Sequence, residues 1–518
     1  MENNRDSFSS NFGFIMAAVG SAVGLGNIWG FPYKISANGG FAFLLVYLLL
    51  GLFVGLAVMV GEFVIGRKTG LSPIAAYKKI SAKFTWMGYI AVLVPFIVLC
   101  FYFVLGGMVM RYAIGYLTAI FGWDTWGVAN ISDFFGTFIL NGGSMILWTA
   151  LFIICNVIIV AGGIGEGIEK FCKVGMPALF VMLLIIIVYV AFQPGASEGY
   201  KFIFVWNLEP LKENFFKVVS VAAGQMFFSL SLGMGAMITY GSYLQKKESI
   251  QKNALIVVIS DTTVAIMAAM IVVPACFAFL GGDVGAGPGL LFKSMQEVFL
   301  QMGYVGNIMG FLFYTLVFIA AITSSISLLE VLTAYKVDKN VEQGKAPGRK
   351  KYAIIMAVII FVFCLPTCLD GLGAGVNDGA AIGTPAEILG MEWDEAGAIT
   401  EFDKDTTYYT LADDHYTAVA ADAAFDASET YYVNTAKGWN CDWLDFYDVI
   451  SEGILMPVGA LVMAFAIGWI WKMDFIVEEC ESSGHKFWGK TFFSLCYKFI
   501  TPIGMLIVLY GQITSFFG

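Results

Sequence analysis

The chain has 518 residues, of which 58% are hydrophobic and only 13% are charged. Soluble proteins carry a charge on about a quarter of their residues, so this composition excludes a water-soluble fold and indicates a protein that lies in lipid. Most of the formal net charge of −10 comes from one acidic loop, and no nucleic-acid partner is predicted. Nine cysteines and two histidines without paired spacing predict neither a disulfide framework nor a zinc site. The apolar segments also lack any constellation typical of an enzyme.

Eleven apolar segments follow one another along the chain, each with the ~20 residues that a helix needs to cross a hydrocarbon core of about 30 Å. We therefore predict an all-α membrane protein with eleven transmembrane helices. The predicted spans cover residues 11–36, 40–66, 88–118, 144–162, 170–193, 215–243, 253–281, 305–336, 350–370, 445–472 and 488–516.

Lys and Arg collect in the N-terminal segment and in the loops after the second, sixth and eighth spans. Because such loops stay on the cytoplasmic side, residues 1–10 are predicted to be cytoplasmic and the C-terminus extracellular, in a multi-pass protein of the cell (inner) membrane. Residues 371–443 then form an extracellular loop with 14 acidic side chains against two lysines. We interpret this loop as a solvated insertion, with attraction of cations to the mouth as the alternative.

Glycine interrupts two of the spans, although it costs about 1 kcal/mol in a helix interior. The first span holds Gly20, Gly24, Gly26 and Gly30, and the sixth holds Ser-Leu-Ser-Leu-Gly-Met-Gly over residues 229–235. Close helix packing through small residues would explain one such segment. Two of them, five spans apart, indicate broken helices around a midplane site. Unwound N–H groups attract a carboxylate and unwound carbonyls a hard cation, so a zwitterion with cations is the predicted cargo.

Three motifs resemble signatures of the neurotransmitter:sodium symporters. Residues 22–32, Ala-Val-Gly-Leu-Gly-Asn-Ile-Trp-Gly-Phe-Pro, resemble the first helix of that family, and residues 224–233, Gly-Gln-Met-Phe-Phe-Ser-Leu-Ser-Leu-Gly, the sixth. Residues 320–325, Ala-Ala-Ile-Thr-Ser-Ser, resemble the eighth. The resemblance spans residues 5–370 and, less strongly, residues 444–516.

This resemblance implies the LeuT-type fold, a 5+5 inverted repeat whose first and sixth helices are unwound in mid-membrane. The first repeat would cover residues 11–193. The second would cover residues 215–472, with the acidic loop of residues 371–443 inserted in it, and residues 488–516 would form an eleventh helix.

The resemblance also implies two sodium sites. One would be formed by the carbonyls of Gly20, Val23 and Ala320 with the hydroxyls of Thr323 and Ser324. Taken singly, such hydroxyls more often bond to their own helix, and only the motif assigns them to sodium.

The second sodium site would combine the Ala22 carbonyl, the Asn27 amide, Ser229 and Asp261 with the carboxylate of the substrate, which couples the two fluxes. Relatives commonly have asparagine where this chain has Asp261. An acid within an apolar span is a functional candidate by default, and pairing with a nearby polar group is the alternative.

Chloride-dependent relatives gather an anion near the positions that match Tyr47, Gln225 and Ser229. The carboxylate of Asp261 would replace that chloride, so we expect transport without it.

The substrate carboxylate would bind to the N–H groups of Leu25 and Gly26 and to the Tyr102 hydroxyl, and the amine to carbonyls of the broken helices, including that of Ala22. Monoamine carriers of the family have an aspartate where this chain has Gly24, which favours an amino acid over an amine. A largely apolar wall is then expected around the side chain. Its members would be Val98, Phe228, Ser231, Met234, Ser327 and Leu328.

The inner gate is expected to be an ion pair of Arg5 and Asp338, with Phe8 and Tyr243 nearby; two solvated charges are the alternative. Glu330, another acid within an apolar span, would line the exit path or pair within the bundle.

The outer gate departs from the family, because Gly30 stands where relatives have an arginine. Acids remain at Asp445 and Asp448. Lys34 lies one helical turn above Gly30 on the same face, so we expect it to replace the missing cation and to pair with one of these acids.

The sequence therefore predicts a sodium-coupled symporter that imports neutral, hydrophobic or aromatic amino acids by alternating access. Sodium is its only predicted cofactor, and the amino acid and the bilayer are its predicted partners. A proton-coupled amino-acid carrier of related architecture and a transport-dead amino-acid sensor remain as alternatives.

Overall fold

The computed structural model describes residues 7–285, 287–374, 379–385, 388, 393–395, 408–412, 415–419, 425–426, 429–434, 441–482 and 484–517. In these parts of the chain, nine unbroken helices are long and apolar enough to cross a membrane. They are Phe41–Thr69, Ala82–Ile120, Gly142–Ala161, Ile164–Ala191, Ile250–Phe279, Tyr304–Glu342, Arg349–Leu369, Trp443–Glu481 and Lys490–Thr514.

Two broken helices complete the eleven predicted spans. The first span consists of Asn11–Ala22 and Gly26–Ala37, which meet at an angle of 52°. The sixth consists of Phe215–Ser229 and Ala236–Gly241, which are separated by six residues that do not form a helix. The helices therefore coincide with the predicted spans, and the eighth and tenth continue beyond the predicted ends.

The break in the sixth span follows from its backbone. Ser231, Gly233 and Gly235 have φ angles of +52°, +77° and +70°, a region that glycine enters freely and other residues rarely. A Cβ atom on Gly233 would lie 2.7 Å from the carbonyl oxygen of Met456, and one on Gly235 would lie 2.7 Å from that of Ala91. Glycine is therefore required at both positions by conformation and by space.

The break in the first span begins at Val23, whose backbone is extended with ψ 110°. The Gly24 N–H, which has no helical partner, donates to Asn27 Oδ1 at 2.9 Å. The chain then resumes as a single π-helical turn over Gly26–Gly30, a form that is frequent at functional sites. The Asn27 side chain thus accepts a hydrogen bond from the unwound segment that precedes it.

Short helices connect the spans, and the acidic loop between the ninth and tenth spans contains a small sheet. The connecting helices are Pro73–Ile80, Phe134–Leu140, Ala196–Phe204, Glu209–Glu213, the π-helix Leu290–Ser294 and Met295–Gln301. The sheet is antiparallel, with its strands in the spatial order Trp393–Glu395, Tyr431–Asn434, Tyr408–Ala412 and His415–Ala418. The sheet adds a β element to the predicted all-α architecture.

Candidate functional site

A small, closely packed cavity with a free volume of about 10 Å³ lies where the two broken helices meet the third and eighth spans. Most of the residues predicted to bind substrate line it, together with Ser229 and Ser324, which were predicted to bind sodium. The lining residues are Ala22, Gly24, Gly26, Val98, Tyr102, Phe228, Ser229, Ser231, Met234, Ser324 and Leu328.

Ser327 does not line the cavity, in contrast to the prediction. Its hydroxyl donates to the carbonyl of Ser324 at 2.7 Å and lies 2.7 Å from the Ser21 hydroxyl. Because both contacts hold the hydroxyl between the first and eighth spans, Ser327 packs behind the wall of the cavity.

Tyr102 marks one end of the cavity. Its hydroxyl accepts a hydrogen bond from the Leu25 N–H at 3.0 Å. A Cβ atom on Gly24 would lie 2.7 Å from this hydroxyl and 2.6 Å from Ser324 Oγ, closer than real Cβ atoms come. The hydroxyls of Tyr102 and Ser324 can therefore lie against the broken helix only because residue 24 has no side chain.

The oxygens of the first predicted sodium site lie together between the first and eighth spans. Ser324 Oγ is 3.3 Å from the carbonyl oxygen of Gly20 and 3.0 Å from that of Val23. Thr323 Oγ1 donates to the carbonyl of Ile319 at 2.8 Å and lies 3.1 Å from that of Ala320. Carbonyl and hydroxyl oxygens are the ligands that a hard cation prefers.

The polar side chains of the second predicted sodium site form one buried cluster. Asn27 Nδ2 donates to Ser229 Oγ at 2.8 Å and to Asp261 Oδ1 at 2.7 Å, and Ser229 Oγ donates to Asp261 Oδ2 at 2.8 Å. Asp261 is completely buried, and within the described chain no lysine or arginine pairs with it. Because a buried carboxylate without a counter-charge is costly, the cluster fits a bound cation.

Within the described chain, two buried polar atoms near this cluster form no hydrogen bond, the Tyr47 hydroxyl and Gln225 Oε1. Gln225 Nε2 donates to the carbonyl of Gly26 at 2.8 Å. Its Oε1 atom lies 2.9 Å from where a Cβ atom of Gly30 would be. The glutamine amide therefore borders the position of the arginine that relatives carry.

On the predicted cytoplasmic side, aromatic rings lie beneath the broken helices. The Phe8 ring is 5.7 Å from that of Tyr240 and 6.4 Å from that of Tyr243, with edge-on geometry. Asp338 Oδ2 accepts a hydrogen bond from the Ser72 N–H at 2.7 Å. Arg5, the predicted partner of Asp338, lies outside the described residues.

Glu330 pairs within the bundle, which decides between the two interpretations that the sequence left open. The Tyr243 hydroxyl donates to Glu330 Oε1 at 2.7 Å, and Arg349 Nη1 lies 2.6 Å from Glu330 Oε2. Glu330 is completely buried, so it joins the sixth, eighth and ninth spans.

Lys34 does not form the predicted ion pair with Asp445 or Asp448 in the structure. Asp448 and Glu452, one helical turn apart in the tenth span, lie close enough to interact, and Lys34 lies near both carboxyl groups without an ion pair to either. The first span has another outer contact, from Trp29 Nε1 to the carbonyl of Gly287 at 2.5 Å.

Two acids within the spans were given no role at the sequence level. Glu62 Oε1 accepts a hydrogen bond from the Gly233 N–H at 2.7 Å and so satisfies a donor that the break in the sixth span exposes. Glu452, in the π-helical turn Val449–Leu455 of the tenth span, lies within electrostatic range of Tyr102. The available signal was the same for both, an acid within an apolar span.

Comparisons with known proteins agree with this arrangement. The family model described as the sodium:neurotransmitter symporter family matches residues 5–134 and 135–376. The sodium-dependent transporter YhdH of Bacillus subtilis is 30% identical over 98% of this chain and 97% of its own length. The sodium-dependent serotonin transporter of Drosophila melanogaster is 26% identical over 77% of this chain and 70% of its own.

A solved structure shows the same fold. The crystal structure of MhsT in complex with L-phenylalanine superposes with a TM-score of 0.76 at 32% identity, covering 98% of this chain and all of MhsT. The predicted LeuT-type fold is thereby confirmed, and the sodium dependence of the relatives agrees with the oxygen clusters beside the cavity. The chain is a multi-pass, sodium-dependent transporter that belongs to the sodium:neurotransmitter symporter family.

Proposed function

We propose that this protein imports neutral amino acids with hydrophobic or aromatic side chains together with sodium. The observation that carries the proposal is the absence of a side chain at Gly24, against which the Tyr102 hydroxyl lies, itself bonded to the Leu25 N–H. An aspartate there would supply a carboxylate from the protein, whereas glycine leaves the donors for a carboxylate on the substrate. The L-phenylalanine bound to MhsT supports this substrate class.

The rest of the cavity supports a neutral, apolar side chain. Val98, Phe228, Met234 and Leu328 give it an apolar wall, and a charged group placed against that wall would lose its hydration without gaining a partner. Methionine adapts its shape to different ligands, so we propose that the site accepts both branched and aromatic side chains.

Two sodium ions accompany the substrate in this proposal. The oxygens around Ser324 form one site, and the cluster of Asn27, Ser229 and Asp261 with the Ala22 carbonyl forms the other. At the second site the substrate carboxylate is itself a ligand. Each cargo therefore completes the binding site of the other, which couples their movement.

Asp261 makes chloride unnecessary in this proposal. Its buried carboxylate holds the negative charge that chloride would otherwise bring close to the sodium ion, near the unpartnered atoms of Tyr47 and Gln225. Import proceeds from the extracellular side, with the N-terminus in the cytoplasm and the C-terminus outside the cell membrane, as the distribution of Lys and Arg favours.

The proposal is tested with the purified full-length protein and a panel of amino acids in sodium and in potassium buffers. We expect leucine, phenylalanine and related amino acids to raise the melting temperature only with sodium, and glutamate, lysine and dopamine to have no effect. Uptake into proteoliposomes driven by a sodium gradient should show the same selectivity. Stabilisation without uptake would identify a sensor, and uptake driven by a pH gradient in the absence of sodium would identify a proton-coupled carrier.

The role of Asp261 is tested by replacing chloride with gluconate. Uptake by the unaltered protein is expected to stay the same, whereas Asp261→Asn should lose most of its activity in gluconate and regain part of it in chloride. A loss of uptake by the unaltered protein in gluconate would contradict chloride independence. The proposed substrate class would remain valid in that case.

A further inference from the structure

Arg111 is a charged residue in the outer half of the third span, with only 8% of its surface exposed. Tyr102, on the same helix, contacts the break in the first span and therefore lies near the bilayer midplane. The helix rises about 1.5 Å per residue, so Arg111 lies about 13 Å above Tyr102. Half of a hydrocarbon core of about 30 Å is about 15 Å, which places the guanidinium at the boundary with the lipid headgroups.

Three aromatic rings surround the guanidinium of Arg111. Its central carbon is 4.7 Å from the ring centre of Phe134, 5.3 Å from that of Trp126 and 5.9 Å from that of Trp148. Trp126 and Phe134 belong to the connection between the third and fourth spans, and Trp148 belongs to the fourth span. The faces of aromatic rings attract a cation, and tryptophan is enriched at this depth of a membrane.

The glycines one turn to either side of Arg111 make room for this cage. A Cβ atom on Gly107 would lie 2.7 Å from the backbone of Trp148, and one on Gly115 would lie 2.6 Å from the ring of Trp126. Both distances are shorter than real Cβ contacts, so both tryptophans reach their places only beside glycine. The chain therefore builds a specific enclosure around one cationic side chain.

The enclosure supplies no negative charge. Arg111 Nη2 donates to the carbonyl of Thr125 at 2.5 Å, and in the described parts of the chain no aspartate or glutamate pairs with the guanidinium. Arginine carries five N–H donors, and the remaining nitrogens of Arg111 are not among the buried atoms that lack a partner, so they reach the molecular surface. A cation held at this depth without a counter-charge is costly.

The surface around these donors faces lipid. Ile114, one turn above Arg111, is 36% exposed, and Leu147, beside Trp148, is 56% exposed. The negative groups available at this depth and on this face are the phosphates of phospholipids. An arginine fork binds two phosphate oxygens at once, which makes the phosphate a better counter-charge here than a small hydrated anion.

We propose that Arg111, Trp126, Phe134 and Trp148 form a binding site for the phosphate group of a phospholipid in the outer leaflet. The free N–H groups of Arg111 hold the phosphate, and the tryptophan rings pack against the glycerol region. The lipid thereby fastens the connection between the third and fourth spans to the edge of the bilayer.

The test measures binding of dioleoylphosphatidylglycerol to the delipidated full-length protein by native mass spectrometry. Arg111→Gln is compared with the unaltered protein and with Lys217→Gln, which removes an exposed cation near the start of the sixth span. We expect the dissociation constant of the tightest lipid to rise at least about tenfold in Arg111→Gln and to stay unchanged in Lys217→Gln. Dioleoylglycerol, which has no phosphate, should not occupy the site.

Two further variants keep the test decisive if Arg111→Gln does not fold. Arg111→Lys keeps the charge but not the fork, and Trp148→Leu keeps the arginine but removes one ring, so both should weaken binding by less than Arg111→Gln. Equal affinity in the variants and the unaltered protein would overturn the proposal. Displacement of the lipid by millimolar inorganic phosphate would assign the site to a soluble anion and would overturn the lipid assignment.

Discussion

The absence of a side chain at residue 24 is the most specific feature of the candidate site. The hydroxyls of Tyr102 and Ser324 lie directly against this residue, and a Cβ atom there would come within 2.6–2.7 Å of both. A single methyl group would therefore push both hydroxyls out of place, and because they are the ends of side chains, the helix backbones need not move.

Gly24→Ala is therefore expected to lose substrate binding while the protein still folds. Gly51→Ala is the matched control, because a Cβ atom there would meet only Thr262 Oγ1 at 4.0 Å. We expect at least a hundredfold loss of amino-acid affinity in Gly24→Ala, equivalent to about 2.8 kcal/mol, and less than a twofold change in Gly51→Ala. Equal affinities in the two variants would show that the carboxylate binds elsewhere.

The placement of single residues was predictable where a motif fixes the backbone as well as the side chain. Asn27, Ser229 and Asp261 lie within hydrogen-bonding distance of one another, as the resemblance implied. Ser327 and Lys34 were placed in the right region with the wrong contacts. Which neighbour a hydroxyl or an ammonium group reaches depends on the rotamers and separations of facing helices, and local sequence does not encode these.

At the scale of elements, the ends of the spans are joined by buried polar contacts. Glu330 in the eighth span is completely buried, and Arg349, the first residue of the ninth helix, has 13% of its side chain exposed. Removal of one member of such a pair leaves an unpaired buried charge.

Arg349→Met is expected to destabilise the protein by about 3–5 kcal/mol, the cost of a buried charge that has lost its partner. The double variant Glu330→Gln/Arg349→Met should recover most of this loss, since no charge then remains. Lys490→Met serves as the control, because its pair with Asp474 is exposed to solvent, where ion pairs add little to stability. Denaturation midpoints measure all three, and a double variant no more stable than Arg349→Met would contradict the argument.

The ninth and tenth spans are joined at their outer ends by two aspartates. Asp370 accepts hydrogen bonds from the Leu372 and Trp443 N–H groups, and Asp442 accepts one from the Asp445 N–H at 2.6 Å. Burial raises the pKa of Asp370 to about 6. Burial and the neighbouring Asp445 raise the pKa of Asp442 well above its usual range.

A raised carboxyl pKa means that the folded protein favours the protonated form, so its stabilising contribution is present at low pH and is lost as the pH rises through the folded pKa. Asp442→Asn keeps the helix cap but does not ionise. We expect the variant to be more stable at pH 8 by on the order of 1 kcal/mol and nearly unchanged at pH 4. Melting temperatures across this range measure the effect, and a variant less stable at pH 8 would refute it.

Element positions were predictable because hydrophobicity and glycine act locally. The eleven spans and both breaks follow from runs of about 20 apolar residues and from glycines inside two of them. The sheet between the ninth and tenth spans could not be predicted from the sequence. Its strands have only three to five residues and pair across long stretches of polar chain.

For the whole molecule, the number of sodium ions decides how strongly the substrate is concentrated. Each charge that crosses the membrane contributes about 2.3 kcal/mol per 100 mV. Two sodium ions with a neutral amino acid therefore supply about 4.6 kcal/mol, and one supplies half of that. On the scale of a tenfold ratio for every 1.4 kcal/mol, the difference is roughly fortyfold in accumulation.

We expect the reversal potential of amino-acid flux in proteoliposomes to correspond to two sodium ions for each substrate.

In binding measurements with radioactive sodium, Thr323→Val/Ser324→Ala should retain one of the two ions, because its Asn27, Ser229 and Asp261 cluster is intact. Ser325→Ala is the control, since its hydroxyl donates to Asn156 Oδ1 at 2.6 Å, away from the cavity. A reversal potential for one ion, or a double variant that still binds two, would remove the site between the first and eighth spans from the transport cycle.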